Sequence, residues 1–362
     1  MTEPFAVNVA ATDIEDLRIR LRGTRWPSGV TDSGGFEIRA AQRLTSYWAD
    51  SFDWYEQQRR LNSYPQFTVS LDGQRVHFLH IESRRSDSMP LLLLHGWPGS
   101  FIEFLGVVDR LRDSYDIVVP SLPGYGFSSP ALSPGMSNKR MADVMSMLMA
   151  GLGYERFGVH GGDVGAGVAT WLAFKHPERV IGLHLNYIPG SYAPALQSGP
   201  TEEEAEFLRR SAEWFKRSGA YGHLQSTRPL TLAYALSDSP VGLATWIAEK
   251  FHDWADPGCV IPADTVLTNV MVYWITNSIA SSVRVYLESG TTPLMFRAGE
   301  RVSVPASIAH FPFEMPFPPR SWVERVYDVR RWTEMPRGGH FAALEMPELL
   351  AEDIAAFFAS VA

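Results

Sequence analysis

Apolar and polar positions change period several times along this chain, and each change predicts an element. Asp13 to Arg22 puts Ile14, Leu17 and Leu21 on one face, the spacing of a short amphipathic helix. The turn Trp26-Pro27-Ser28-Gly29 follows, then a segment dense in aromatics: Tyr47, Trp48, Phe52, Trp54 and Tyr55. Two readings suit this stretch equally, an arm packed on another domain or a small helical subdomain with its own core. From Phe67 the pattern alternates through Val69 and Leu71, turns at Asp72-Gly73 and resumes at Val76, Phe78 and Ile81, which predicts a β-hairpin. Leu91 to Leu94, Ile117 to Val119, Phe157 to Val159 and Val180 to Leu185 are short, solidly apolar runs. They read as strands buried on both faces of a mostly parallel sheet. Between them Met141, Val144, Met145 and Leu148 recur at helical spacing, a stripe that reads as core filling. Residues 190–288 carry helical stretches and aromatics without a clear buried strand, and strand-like sequence returns at Val302 to Pro305. A final helix is marked by Pro347 and Glu348 in its first turn and by Leu350, Ile354, Phe357 and Phe358 on one face.

Composition narrows the class. The 362 residues, 45 % hydrophobic and 20 % charged, suit one large α/β domain with decorations or two domains. A formal charge of −8 with scattered Lys and Arg argues against nucleic-acid or anionic-membrane partners. Cys259 is alone, so no intrachain disulfide is expected. The N-terminus has early acidic residues and no apolar core of a signal peptide. No run approaches the ~18 apolar residues of a membrane span. A soluble cytoplasmic protein is the expectation.

The chemistry converges on Arg156 to Thr170, RFGVHGGDVGAGVAT, where a short strand runs into a sharp corner and then a helix. Gly161 lies two residues before Asp163, and Gly165 and Ala166 lie two and three after it. Small neighbours at those places are what a strained strand-turn-helix corner demands, because larger ones would clash. Such a nucleophile elbow in mid-chain, with His95-Gly96-Trp97-Pro98 after an earlier buried strand, indicates an α/β-hydrolase fold. The fold's chain order of nucleophile, acid and His places the His in Arg337-Gly338-Gly339-His340-Phe341. Glu314 is the best-placed acid on position, with Glu300 and Asp328 as competitors. His95 and His160 read as structural.

Most elbows carry Ser, whereas this one carries Asp. A Ser oxygen attacking an alkyl carbon would leave a stable ether, while a carboxylate leaves an ester that water can cleave. The elbow therefore points to epoxides or haloalkanes. Asp163 is ionised near neutral pH and needs no base for the first step, and His340 would activate water for the second. Backbone N–H groups of Val164 and Trp97 are the expected donors to the oxyanion. Opening an epoxide calls for an acidic hydrogen-bond donor such as a phenol. The candidates are Tyr192, Tyr221, Tyr234, Tyr273 and Tyr286, and composition does not choose among them.

Longer stretches carry a specific resemblance: 94–100 (LHGWPGS), 123–128 (PGYGFS), 161–163 (GGD), 182–186 (GLHLN), 237–244 (SDSPVGLA), 267–271 (LTNVM), 311–314 (FPFE) and 337–343 (RGGHFAA). Together they resemble the microsomal-type epoxide hydrolase family, which includes insect juvenile-hormone epoxide hydrolases and soluble bacterial and fungal relatives. The resemblance implies Asp163 as nucleophile, His340 as base, Glu314 as its partner, and Tyr221 and Tyr286 as the epoxide-holding tyrosines. It implies no cofactor and no metal. The expected organisation is an aromatic-rich arm (1–65), an α/β-hydrolase core in two parts (66–189 and 289–362) and a mostly helical cap (190–288). The expected partner is a small-molecule epoxide, bulky or aryl, from detoxification or natural-product biosynthesis, with no membrane anchor and a homodimer left open. Two departures stand out. An extra residue, Ala220, precedes Tyr221 relative to some members, and Val164 stands where the family usually has Trp. Haloalkane dehalogenase shares the Asp elbow but usually offers indole or amide donors. A non-catalytic ligand-binding relative would not need the full Asp-Glu-His set. A dinucleotide loop at Gly162–Gly167 is discarded, because its glycines are out of the G-x-G-x-x-G order.

Overall fold

A computed structural model describes every residue except 29–33, 129, 131–134, 190–198, 298 and 362. Gly29 of the predicted turn and Tyr192 therefore lie outside the described residues. Among the described residues, nine strands form one mixed sheet in the order β1-β2-β3-β5-β4-β6-β7-β8-β9. They are β1 (Glu3–Pro4), β2 (Gln66–Leu71), β3 (Gln74–Ile81), β4 (Met89–Leu94), β5 (Tyr115–Pro120), β6 (Phe157–Gly161), β7 (Val180–Leu185), β8 (Val302–His310) and β9 (Tyr327–Glu334). β1, β2, β3 and β5 pair antiparallel in turn, and every later pair is parallel. The hairpin turn uses positive φ at Asp72 (50°) and Gly73 (74°), the mirror-image turn that matches strand twist.

Helices α1 (Ala11–Arg22), α2 (Ile38–Asp50) and α3 (Trp54–Asn62) precede the sheet. Trp48, Phe52 and Trp54 belong to the same hydrophobic cluster as the central strands. Tyr47 and Arg20 reach further, donating to Asp264 and Asp238 of the later helical region. On the sheet lie α4 (Leu105–Leu111), α5 (Asn138–Gly151) and α6 (Asp163–Lys175). Met141, Val144, Met145 and Leu148 of α5 are all buried, which makes the methionine stripe core.

Between β7 and β8 the described residues form six helices: α7 (Glu202–Ser218), α8 (Ala220–Thr227), α9 (Pro229–Asp238), α10 (Pro240–Trp254), α11 (Ala263–Thr276) and α12 (Ile279–Thr291). They fold back against one another and over the carboxyl ends of the parallel strands. Short helices α13 (Arg320–Val323) and α14 (Ala342–Glu345) lead into α15 (Pro347–Val361).

Leu91 to Leu94 of β4 are fully buried, so their apolar run is explained by cover on both faces. The sequence pattern did not predict β9, and it ended β8 early. β9 is an edge strand, and its residues DVRRWTE are partly exposed, so no apolar run marks it. Among the described residues, no helix is long and apolar enough to cross a membrane. Replacing buried Leu93 by Ala should cost about 2–5 kcal/mol. Leu230→Ala, at a position 63 % exposed, should stay within about 0.5 kcal/mol of wild type. Denaturant unfolding of the two variants checks the contrast.

Candidate active site

β6 ends at Gly161 and α6 begins at Asp163, so Asp163 occupies the corner with φ 47°, in the left-handed region. Such a backbone is costly for a residue with a side chain and persists only where its surroundings hold it. The surroundings are glycines. A Cβ on Gly165 would run into the Leu94 carbonyl at the end of β4, and one on Gly96 would strike Asp163 itself. A Cβ on Gly161 would meet the backbone of Gly165. The corner therefore presses against the β4 loop with no room for side chains between them.

That loop, His95 to Ser100, is fixed from several sides. His95 is buried and accepts from the Leu122 N–H, while its other ring nitrogen lies 3.0 Å from the Gly96 carbonyl. Asn269 of α11 donates to the Pro98 carbonyl and accepts from Ser100, and the Tyr273 hydroxyl donates to the Gly99 carbonyl at 2.7 Å. The loop brings the Trp97 N–H to 2.8 Å from Asp163 Oδ1. The other predicted donor, the Val164 N–H, begins the first turn of α6 beside it.

His340 Nε2 lies 3.4 Å from Asp163 Oδ2, and His340 Nδ1 lies 2.7 Å from Glu314 Oε1. The Glu314 side chain is fully buried and also accepts from the Met315 N–H at 2.8 Å. Burial opposes charging of His340, but the carboxylates of Glu314 and Asp163 outweigh it and hold the imidazole well above 6.5. Of the competing acids, Asp328 pairs with Arg330, and Glu300 accepts from the Arg297 N–H in its own turn.

Carboxylates that the sequence did not single out hold the His340 loop. Glu345 accepts from the N–H groups of Asp256, Gly339 and Phe341, and Asp256 accepts from those of Gly258 and Gly338. The His340 N–H donates to the Trp254 carbonyl, and the Trp254 indole stands edge-on to the imidazole at 5.1 Å. A Glu five residues after His340 was a visible signal, but the Asp256 and Trp254 contacts join segments far apart in sequence.

The helical region completes the surroundings. Tyr221 on α8 and Tyr286 on α12 have ring centroids 6.0 Å apart, and both rings pack against Trp97. Burial, and next the charge of Asp163, raises Tyr221 well above 10, with only the Tyr286 hydroxyl pulling it down. Burial likewise raises Tyr286. Both phenols are therefore neutral donors at neutral pH. Tyr273 is committed to the Gly99 carbonyl, and Tyr234 is 72 % exposed. A cavity of about 320 Å³ opens between Asp163, Val164, Tyr187, Trp214, Tyr221 and Tyr286. No cluster among the described residues has the donors to hold a metal ion.

The geometry yields a pH expectation. The folded-state pKa of His340 is raised, so the stability it contributes is fully present below about pH 6.5 and is lost as pH rises through the folded value. Titration by imidazole NMR should find His340 losing its proton above the ordinary imidazole value of 6.5 in the free protein. Glu314→Gln, which removes one of the raising charges, should move that titration downward.

Comparison with known proteins agrees with this architecture. The "Epoxide hydrolase N terminus" family matches residues 2–104, and the "alpha/beta hydrolase fold" family matches residues 89–254. Epoxide hydrolase 1 of Oryctolagus cuniculus is 37 % identical over 98 % of this chain and 88 % of its own. The solved epoxide hydrolase of Aspergillus niger is 32 % identical and superposes with a TM-score of 0.89, covering 100 % of this chain and 97 % of that one. The juvenile hormone epoxide hydrolase of Bombyx mori follows at 30 % identity and a TM-score of 0.88, covering 100 % and 95 %. With an Asp at the elbow, a His between two carboxylates and relatives matched over nearly their full length, this chain belongs to the epoxide hydrolase family.

Proposed function

We propose that this epoxide hydrolase works in two covalent steps, with Asp163 as the nucleophile, and converts an epoxide and water into a vicinal diol. The observation that carries the reading is the position of Asp163. Its carboxylate faces the His340–Glu314 pair and borders a cavity that also holds two neutral phenols. Oδ1 is held by the Trp97 N–H, which leaves Oδ2 to attack the epoxide carbon. As the ring opens, negative charge leaves Asp163 and develops on the epoxide oxygen. Tyr221 and Tyr286 donate to that oxygen and supply its proton. Their pKa values are raised partly by the Asp163 charge, and that contribution ends as the charge moves.

The same transfer changes His340. In the free enzyme two carboxylates favour its cation. Alkylation neutralises Asp163, so only Glu314 still supports the charge, and His340 can release its proton to restore the phenol. The neutral imidazole then takes a proton from water as the water oxygen bonds to Cγ of Asp163. The N–H groups of Trp97 and Val164 hold the oxyanion, and release of the diol returns the carboxylate and the imidazolium. Protons balance over the cycle, and no cofactor or metal takes part.

Residues 190–288 act as a cap that contributes both tyrosines and excludes water from the first step. The aromatic walls of the cavity, Tyr187 and Trp214 among them, suit a bulky or aryl epoxide. A role in detoxification or in natural-product biosynthesis fits equally. The dehalogenase alternative has less support, because two buried phenols, Tyr221 and Tyr286, stand at the cavity beside Asp163.

His340→Gln should ring-open an aryl epoxide and then stall, and intact-mass spectrometry should find the protein heavier by one epoxide. If wild type turns over and that variant never gains mass, the ester mechanism is wrong. A Tyr221→Phe/Tyr286→Phe double variant should fold but lose at least about 100-fold in kcat/KM, measured by diol formation. Release of halide from haloalkanes without reaction of epoxides would favour the dehalogenase instead.

A further inference from the structure

On its other side Asp163 borders a second, much smaller cavity, about 20 Å³ of space for water centres, enough for one water. His340, Gly96, Trp97 and Glu103 line it, and Asp163 is the only described residue that it shares with the substrate cavity. His340 thus lines the small cavity, next to Asp163. Once an alkyl group fills the substrate cavity, water approaching the Asp163 ester from the small one meets His340 at once.

Glu103 and Ala343 also line a third cavity of about 340 Å³, between α3, the start of α11 and α14. Glu103 therefore stands at a junction, with the one-water space on one side and a larger recess on the other. The β4 loop gives way to it, since a Cβ on Gly99 would overlap the Glu103 carboxylate. The mechanism above leaves this acid without a task.

We propose that Glu103 is a positioning residue that orients the hydrolytic water for His340, and that this water is replenished from the recess past Glu103 and Ala343. The inference rests on the ester mechanism. In the step it serves, the water oxygen bonds to Cγ of Asp163 and one water proton passes to His340 Nε2. The bond from Cγ to the alkyl oxygen then breaks, and the diol leaves with the other proton. Glu103 gains and loses no proton overall. Burial pushes its carboxyl up to about 8, and His340 and the Ser100 N–H draw it down less than burial raises it. At neutral pH it can therefore both donate to and accept from a water.

The test follows ring opening and ester hydrolysis separately with styrene oxide, by rapid quench and intact mass, in four variants of the full chain. Glu103→Leu should slow ester hydrolysis by at least about tenfold and leave ring opening within about twofold, so that adduct accumulates. In steady state kcat and KM should then fall together, with kcat/KM preserved. Glu103→Gln keeps the donor and acceptor and should rescue hydrolysis to within about threefold of wild type. Ala343→Val narrows the junction and should also slow hydrolysis selectively; it carries the test alone if Glu103→Leu does not fold. The proposal is overturned if Glu103→Leu and Ala343→Val slow both steps alike, or neither. It also falls if Glu103→Gln is as impaired as Glu103→Leu. The fourth variant, His340→Gln, separates the two levels. If it forms adduct while the other variants behave as wild type, only the role of Glu103 falls. If it forms none, the ester mechanism falls and the role of Glu103 with it.

Discussion

The arrangement depends on one backbone corner. Asp163 is held at φ 47° because the ends of β4 and β6 and the first turn of α6 approach one another through glycine. Nothing larger fits at 96, 161 or 165. The close approach also brings the Trp97 N–H to the Asp163 carboxylate, so a packing constraint and a binding contact are one feature. The loop is braced from above by Asn269 and Tyr273 of α11, which ties the geometry of the corner to the helical region. A change in how that region sits would reach Asp163 through the Pro98 and Gly99 carbonyls.

A charge arrangement is built on this corner. His340 lies between two carboxylates in a buried setting, where an isolated imidazolium would be disfavoured. The pair of negative charges reverses that preference. In the proposed ester mechanism one of them belongs to the attacking group, so the attack itself would alter the base that the next step needs. The other is committed to support. Glu314 takes the Met315 N–H and the imidazole on one oxygen, while its second oxygen has no protein partner, so the support is aimed almost wholly at His340. The loop around His340 is fixed by Glu345 and Asp256 through backbone N–H groups, which orient the loop without competing for the ring.

What the sequence made legible divides along physical lines. Strands covered on both faces announce themselves as apolar runs, and the elbow announces itself by small residues that a clash would otherwise forbid. Strand β9 was silent because an edge strand with charged side chains looks like loop. Position alone put Glu314 only slightly ahead of Glu300 and Asp328, since the distinction lies in which chain segment folds back onto His340. The resemblance to a family picked Glu314 and the two tyrosines before any geometry did. The bracing roles of Tyr273, Asp256 and Trp254 had no local signature, because each joins segments more than eighty residues apart.

Val164 bears on selectivity in a way its neighbours do not. Its backbone belongs to the corner, and its side chain borders the substrate cavity with Tyr187, Trp214 and Tyr221. At about 320 Å³ that cavity is at the small end for a bulky ligand. The small side chain leaves space beside the Asp163 carboxylate, where the proposed mechanism would place a substituent of the reacting epoxide carbon. In the proposed mechanism residue 164 would set the room beside the reacting carbon, and the aromatic walls would bear on which carbon reacts.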